Sequence, residues 1–252
     1  MRPGNGPLVV EAKAISKRFG GLQALDNISL VARGGEVTAV IGPNGAGKST
    51  LIDCLTGVSR FDDGRVVIDG KDYDTVRLDR LVDLGISRTF QHIRVFEGLA
   101  ALEHLVLVRR NLLSTSRGHA LAANGRLLPE PMSLLERVGL AGKAGQRPAE
   151  LAYGERRRLE IARALATAPL FLLLDEPAAG STPSEQNVLA ELIRSIAAEG
   201  VAVVLVEHHM DLVGRVSARV VVINFGRHVV TGTIEQVRRH PEVISAYLGV
   251  AA

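Results

Sequence analysis

The chain has 252 residues, of which 46% are hydrophobic, and this content supports a buried core in one large domain or in a core with an inserted subdomain. Its 30 Lys and Arg side chains exceed its 27 Asp and Glu side chains by only three, and aromatic residues make up 4%. Because nucleic-acid surfaces combine basicity with aromatic stacking, this composition argues against nucleic-acid binding. Apolar runs are too short for membrane spans, the amino terminus lacks a secretory-signal pattern, and one cysteine excludes an intrachain disulfide.

The composition and the predicted secondary structure change twice along the chain. Up to residue 41 it predicts short strands separated by Gly and Asn/Asp turns, ending with the strand EVTAVI. Residues 92–150 are rich in Leu, Ala and Arg, with helical patterns at Leu99–Val108 and Ser133–Val138. From Leu151 onward, helices alternate with the buried strands FLLL and VAVVLV, and VVVINFGRHVVTG predicts a closing hairpin. Such alternation predicts an α/β fold with a parallel sheet covered by helices.

A phosphate-binding loop is predicted at GPNGAGKST, between the strand EVTAVI and the apolar helical stretch LIDCL. In this context, the GxxxxGKS pattern lets backbone N–H groups surround a β-phosphate, brings Lys48 to the β and γ oxygens, and offers the Ser49 hydroxyl to Mg²⁺. A chance glycine-rich turn would not combine all of these features. The nucleotide contacts predicted in this loop are Gly42, Asn44, Gly45, Ala46, Gly47, Lys48, Ser49 and Thr50.

Two acids follow the buried strand FLLL. If this strand lies beside the phosphate loop, Asp175 is placed to hold the Mg²⁺ shell and Glu176 to polarise the attacking water. Two acids that end a strand at a turn are common in isolation. Their combination with a phosphate loop favours the catalytic interpretation.

The strand VAVVLV ends at Glu207, His208 and His209, so a histidine also reaches the carboxyl edge of the predicted sheet, where such sheets bind ligands. His208 is therefore a candidate contact for a γ-phosphate. A histidine pair after a strand is more often a surface turn, but the shared sheet edge favours function here. Gln91 lies where the strand-rich part of the chain gives way to the helical part, and by itself it indicates nothing.

In chain order, the phosphate loop, Gln91, LAYGE, FLLLDEP and His208 resemble the P-loop, Q-loop, signature, Walker B motif and switch histidine of an ABC-transporter ATPase. The resemblance covers nearly the whole chain. It implies a RecA-like P-loop NTPase core at residues 1–91 and 151–252, with an N-terminal antiparallel β region. It also implies an inserted α-helical subdomain at residues 92–150 that faces the permease.

A narrower resemblance is to the ATP-binding subunits of branched-chain, or hydrophobic, amino acid importers. It rests on the segments KRFGG, RTFQHIRVFEGL, YGERRRLEIARAL, DEPAAG, VEHHMDLV and PEVISAYLG. Related importers of amides, urea or aromatic acids share these features. The resemblance therefore implies transport of branched-chain or related amino acids.

The family resemblance assigns further roles. It implies that Phe19 packs against adenine, although core filling beside a Gly-Gly turn is the alternative. Gln91 is implied to join Ser49 and Asp175 around Mg²⁺ and to move when the γ-phosphate is present. The implied cofactors are ATP and Mg²⁺.

The same resemblance implies a dimer in which two ATPase subunits, identical or paralogous, enclose two ATP molecules. LAYGE then belongs to the opposing subunit's site, where the helix N-terminus approaches the γ-phosphate and Gly154 permits a close approach. The family usually has a serine where this chain has Ala152. The missing charge-assisted hydrogen bond is worth about 1.5–3 kcal/mol, so we expect weakened rather than abolished binding at one site.

Partners and location follow from the resemblance as well. Integral membrane permease subunits are expected to insert a cytoplasmic loop near Ile93, Arg94, Val95 and Phe96, and an external solute-binding protein is an indirect partner. No nucleic acid is expected. The predicted location is cytoplasmic, peripheral on the inner face of the cell membrane.

Other positions depart from the family pattern or allow two interpretations. Thr182 stands where an Asp or Asn is usual, yet with Pro183 and Glu185 it forms a capping box, which is the favoured interpretation over an inter-subunit contact. His209 replaces a usual acid. The run Arg156–Arg158 is predicted to form a solvated or subunit-facing surface.

Three rival functions stay open from the sequence. A soluble ABC-type ATPase of repair or translation would usually carry a coiled-coil insertion or a second ATPase domain, and neither is present in the sequence. A P-loop kinase would not explain LAYGE or the histidine after the third strand. A weakly active regulatory ATPase subunit is supported only by Ala152.

Overall fold

The computed structural model describes residues 8–123 and 128–248. Ten strands lie in these ranges: β1 (Val9–Phe19), β2 (Leu22–Arg33), β3 (Val37–Ile41), β4 (Asp63–Ile68), β5 (Lys71–Tyr73), β6 (Ile86–Arg88), β7 (Phe171–Asp175), β8 (Ala202–Val206), β9 (Arg219–Asn224) and β10 (Arg227–Gly232). The α-helices in these ranges are α1 (Lys48–Leu55), α2 (Leu81–Leu84), α3 (Ala101–Leu113), α4 (Ser116–Ala123), α5 (Pro131–Arg137), α6 (Tyr153–Leu165), α7 (Pro183–Ala198), α8 (Met210–Val216), α9 (Ile234–Arg238) and α10 (Pro241–Leu248).

The strands form two sheets. One is antiparallel, with the order β2-β1-β4-β5. The other has the order β10-β9-β3-β8-β7-β6, and all its pairings are parallel except that of β10 with β9. Strands β3, β7 and β8 are buried at every residue, as expected for parallel strands covered by helices on both faces. The predicted α/β fold with an N-terminal antiparallel region and a terminal hairpin is confirmed.

The antiparallel sheet differs from the prediction in strand length. The sequence predicts several short strands, whereas β1 and β2 run for 11 and 12 residues. Their pairing register shifts near Ala14 and Asn27, which both have positive φ angles (55° each). Such bulges break the alternation of side chains from which strand length is read, so one long strand looks like two short ones.

The helical region packs against the core through α6. Leu105 of α3, Leu135 of α5 and Leu159 of α6 share one buried cluster with Leu172 and Leu174 of β7. The helical patterns predicted at residues 99–108 and 133–138 correspond to α3 and α5, with α3 five residues longer at its carboxyl end.

The division into a core at residues 1–91 and 151–252 and a helical subdomain at residues 92–150 stays a prediction. Its ranges include residues 1–7, 124–127 and 249–252, which lie outside the described residues. Within the described ranges, no helix has both the length and the hydropathy that crossing a bilayer requires.

Candidate functional site

The predicted phosphate loop joins the end of β3 to the start of α1. Gly47 precedes α1 with a φ of 102°, and a Cβ there would lie 2.7 Å from the Ala24 carbonyl oxygen. A Cβ on Gly42 would lie 2.1 Å from the Ile223 carbonyl oxygen. No side chain caps α1, so its first backbone N–H groups have no capping acceptor and are free for an anion.

Lys48 is buried against this loop, with 6% of its surface exposed. Its Nζ donates to the carbonyl oxygens of Gly42 at 2.7 Å and Pro43 at 2.9 Å. Burial lowers the pKa of Lys48, and the nearby carboxylates of Glu176 and Asp175 oppose that shift. The ammonium group is therefore held at the loop by carbonyl oxygens of its own chain.

A cavity of about 490 Å³ lies over the loop. Segments far apart in the chain line it, since Phe19 of β1, Gln91 and Glu176 join the phosphate loop there. The other lining residues are Leu22, Gln23, Ala24, Asn44, Gly45, Ala46, Gly47, Lys48, Ser49, Thr50, Phe225 and Gly226. Most of the predicted nucleotide contacts thus meet in one place, whereas Gly42, Ala152 and Gly154 do not line the cavity.

Asp175 ends β7 and is 3% exposed. Its Oδ2 lies 3.5 Å from Arg88 Nη2, and its Oδ1 is buried without a hydrogen-bond partner among the described residues. Arg88 Nη1 also donates to Asp53 Oδ1 at 2.8 Å. Burial raises the pKa of Asp175 to about 6, against the opposing charge of Arg88. An unpaired buried carboxylate oxygen is a donor that a hard cation such as Mg²⁺ fits.

Glu176 lies between Gln91 and His208. Gln91 Nε2 donates to Glu176 Oε2 at 3.0 Å, and His208 Nδ1 lies 4.0 Å from Glu176 Oε1. Glu176 has a positive φ of 46°, which is uncommon for a residue with a side chain. Its N–H donates to the Val206 carbonyl at 2.9 Å and so ties this turn to β8. The structure therefore brings together Glu176, the predicted base, and Gln91 and His208, for which we also predict a part in ATP hydrolysis.

Glu207 braces the turn that carries both histidines. The carboxylate is fully buried and accepts from the backbone N–H of Ala178 at 2.8 Å and of His208 at 3.0 Å. Its Oε2 also lies 2.9 Å from His209 Nδ1. His209 thus packs on the acid two residues before it, and its ring lies 4.1 Å from that of His208.

The start of α6 is surrounded by side chains of its own chain. The Ala152 N–H donates to Glu155 Oε2 at 3.0 Å, and Lys143 Nζ donates to the same oxygen at 2.8 Å. Gly154 is buried, and a Cβ there would lie 2.4 Å from Glu185 Oε1. Gly154 therefore lies against the carboxylate of Glu185 at the start of α7, an approach that the sequence did not predict.

The prediction of a solvated or subunit-facing arginine surface is wrong for Arg157, which is 2% exposed. Its guanidinium donates to the carbonyl oxygens of Phe90 at 2.7 Å and Gln91 at 2.8 Å, and it pairs with the buried Glu160 at 3.0 Å. Glu160 Oε1 accepts from the N–H groups of Phe90 and Arg94. This buried pair fastens the backbone around Gln91 to α6, and the repeated arginines gave no sign of which one faces inward.

Thr182 caps α7 as predicted. Its Oγ1 accepts from the Glu185 N–H at 3.3 Å, while Glu185 Oε2 accepts from the Thr182 N–H at 2.8 Å. These hydrogen bonds lower the pKa of Glu185. The capping interpretation is confirmed for this position.

Known proteins are similar to this chain in sequence and in fold. Residues 25–179 match the ABC transporter family, and residues 227–252 match the branched-chain amino acid ATP-binding cassette transporter family. The chain belongs to the ABC transporter family. The match spans the phosphate loop, Gln91, α6 and the strand-end acids, so this member is an ATP-binding, ATP-hydrolysing subunit. Family membership also implies membrane permease partners and a dimer of ATPase subunits.

Individual relatives cover nearly the full length of this ABC-family chain. It is 40% identical to the high-affinity branched-chain amino acid transport ATP-binding protein BraF of Pseudomonas aeruginosa and 38% identical to LivG of Escherichia coli, over 96% of this chain and 98% of each relative. A crystal structure of an ATP-binding cassette in its ADP conformation is 31% identical, with a TM-score of 0.82 over 96% of this chain and 99% of that one. The ATPase-cassette fold is therefore shared across the length of the molecule.

Proposed function

We propose that this chain is the ATP-hydrolysing subunit of an importer for branched-chain or closely related amino acids. BraF and LivG carry that activity in their names, and the carboxyl-terminal match at residues 227–252 is to the same group. In this function, ATP binding closes a dimer of ATPase subunits and hydrolysis reopens it. Closure and opening drive the permease between its two orientations.

The phosphate end of ATP is assigned to the loop before α1. Lys48 contacts the β and γ oxygens, and the backbone N–H groups of the loop surround the β-phosphate. The burial of Lys48 against Gly42 and Pro43 supports this role, because the ammonium is already oriented. Phe19 is assigned to the base, supported by its half-exposed ring at the cavity wall.

The Mg²⁺ site is assigned to the Ser49 hydroxyl, the Asp175 carboxylate and the Gln91 amide. The unpaired Oδ1 of Asp175 supports this assignment. Bound there, the ion would supply positive charge that offsets the negative charge developing on the phosphate oxygens. Arg88 Nη2 lies 3.5 Å from the other carboxylate oxygen of Asp175 and so leaves Oδ1 available to an ion.

Hydrolysis is assigned to Glu176, which orients and polarises the attacking water. The hydrogen bond from Gln91 Nε2 to Glu176 Oε2 joins the residue assigned to Mg²⁺ to the residue assigned to the attacking water. His208 is assigned to the γ-phosphate. The single observation that carries this account is the meeting of Lys48, Gln91 and Glu176 in one cavity, from three separate parts of the chain.

The remaining assignments concern the other proteins of the transporter. The start of α6, with Ala152 and Gly154, is assigned to the ATP held by the second ATPase subunit, which is identical or paralogous. Phe96, which is 55% exposed, and the adjoining residues 93–95 are assigned to a permease loop on the inner face of the membrane. An external solute-binding protein delivers the cargo to the permease.

The test is uptake by the assembled transporter. The tagged chain is purified with its membrane partners, and the complex with its solute-binding protein is placed in proteoliposomes loaded with ATP. Leucine uptake is expected with the wild-type chain and not with Lys48→Ala. Co-purification of nucleic acid or ribosomes in place of a permease, or ATP-dependent activity that survives Lys48→Ala, would contradict the proposal.

A further inference from the structure

The turn between β9 and β10 is a two-residue hairpin loop. Asn224 pairs with Arg227, and Phe225 and Gly226 between them have φ angles of 46° and 74°. A two-residue loop with positive φ at both positions is the type I′ geometry, for which Asn-Gly or Asp-Gly is strongly preferred. This chain has Phe-Gly at those positions.

Phenylalanine is a poor choice for this turn on local grounds. A left-handed backbone crowds the Cβ of an L-residue, and an aromatic side chain has no polar group to compensate by local hydrogen bonding. Packing within the chain does not explain it either, because Phe225 is 84% exposed. Gly226 is explained, since a Cβ there would lie 2.6 Å from the Ala24 carbonyl oxygen. The unexplained strain at Phe225 points to a function outside the fold itself.

The turn is fixed to the phosphate loop. The Gly226 N–H donates to the Ala46 carbonyl at 2.9 Å, and the Gly226 carbonyl accepts from the Asp26 N–H at 2.7 Å. These two hydrogen bonds clamp the turn between the phosphate loop and β2. Phe225 consequently lines the same cavity as Phe19, which reaches it from the end of β1.

We propose that Phe225 is a second aromatic contact for the nucleoside part of the bound nucleotide. Lys48 and the loop N–H groups serve the phosphates, whereas Phe19, Leu22 and Phe225 give the same cavity an apolar wall. A purine has an apolar face for such a wall, and a phosphate has none. Since every purine offers a π-face, the contact is expected to tolerate a change of base. The inference rests on the proposed nucleotide site.

Phe225→Asn separates this role from a structural one, because the two effects have opposite signs. Asparagine tolerates the left-handed backbone, so the unfolding temperature of the variant is expected to rise by about 2–4 °C. The lost ring is expected to weaken ATP and GTP binding by about 5- to 20-fold, with tripolyphosphate binding unchanged. The conservative variant Phe225→Tyr keeps an aromatic face and is expected to restore ATP binding.

The measurement is calorimetric titration of the full chain with ATP, GTP and tripolyphosphate, beside thermal unfolding and sedimentation. Wild-type affinity for ATP in Phe225→Asn overturns the proposal, as does an equal loss for tripolyphosphate. Unchanged ATP affinity with weaker ATP-driven dimerisation also overturns it and assigns the ring to the second subunit. If Lys48→Ala leaves ATP binding intact, the proposed nucleotide site itself is wrong, and that result is independent of Phe225.

Discussion

Two helices of this molecule, α1 and α6, both begin without a side-chain cap, but their surroundings differ. Helix α1 follows Gly47, has no side-chain cap, and opens into the cavity beside a buried lysine. Helix α6 follows Ala152, whose N–H is held by Glu155, and Glu185 of α7 lies over its Gly154. Both N-termini carry the partial positive charge of a helix dipole. Of these two helices, only α1 begins in a cavity that is also lined by a buried lysine.

This difference indicates that the N-termini of α1 and α6 have different roles in nucleotide binding. At α1, the cation, the free N–H groups and the cavity walls all come from one chain, so a nucleotide can bind to a single subunit. At α6, Lys143 donates to Glu155 and lowers its pKa, and the start of the helix does not line the cavity over the phosphate loop. In the proposed dimer, the ligand of α6 is presented by the second subunit. The variants below test this division, beginning with the largest expected effect.

Glu176→Gln is expected to lower ATP turnover by about 1000-fold, because the amide cannot polarise the attacking water as a carboxylate does. Binding at α1 is expected to persist, so the variant should accumulate as an ATP-bound dimer. Turnover and sedimentation of the same preparation check both results. Rapid hydrolysis by Glu176→Gln would remove the proposed base.

Arg157→Met is expected to destabilise the chain by about 3 kcal/mol, because it leaves the buried Glu160 without its charge partner. The matched control is the double variant Arg157→Met/Glu160→Leu, which should regain much of that stability. Its ATP turnover should still be reduced, because the carbonyl groups of Phe90 and Gln91 lose their donor. Urea unfolding and turnover separate the effects, and wild-type turnover in the double variant would show that α6 does not position Gln91.

Lys48 and Arg157 show which features of the site the sequence alone can predict and which it cannot. Lys48 stands in a pattern whose strand, loop and helix fix the backbone locally, and its neighbours in the cavity follow from strands that end at one sheet edge. Arg157 stands in a run of three arginines, and only the path of residues 90–94 decides which one is buried. The contact of Gly154 with Glu185 also depends on how α6 and α7 pack. Local rules therefore predicted the site that α1 completes, and tertiary packing decided the rest.

Asp175→Asn is expected to stabilise the nucleotide-free protein by about 2 kcal/mol at pH 7.5. Burial raises the pKa of Asp175 to about 6, above its value in the unfolded chain. Asp175 therefore binds its proton more tightly in the folded wild type than in the unfolded chain. The free-energy cost of burying its ionised carboxylate grows as the pH rises from about 4 to about 6. Urea unfolding without Mg²⁺ at pH 4.5 and pH 7.5 checks this, and an equal effect at both pH values would contradict it. The variant should also lose Mg²⁺-dependent ATP binding.

Ala152→Ser is expected to have the smallest effect of the four on the isolated chain. A serine at this position can cap α6 and should stabilise the nucleotide-free subunit by about 1 kcal/mol. If the hydroxyl also reaches a γ-phosphate in the dimer, ATP-driven dimerisation should strengthen by more than this intrinsic gain. Thermal unfolding measures the gain in subunit stability, and sedimentation with ATP measures the gain in dimerisation. Unchanged dimerisation and turnover would show that the serine only caps α6.

The most direct test maps which chain residues contact the γ-phosphate of ATP on the second subunit. The assembled transporter pairs this chain carrying Lys48→Ala, which disables its own nucleotide site, with a second ATPase subunit whose phosphate-loop lysine is intact, either the paralogue or a differently tagged wild-type copy. The complex is irradiated with an ATP analogue that bears a photoreactive group on the γ-phosphate, and the two subunits are separated by their tags. Mass spectrometry is expected to find the label on residues 151–155 of this chain. Label confined to the second subunit, with none at the start of α6, would contradict the proposed face-to-face arrangement.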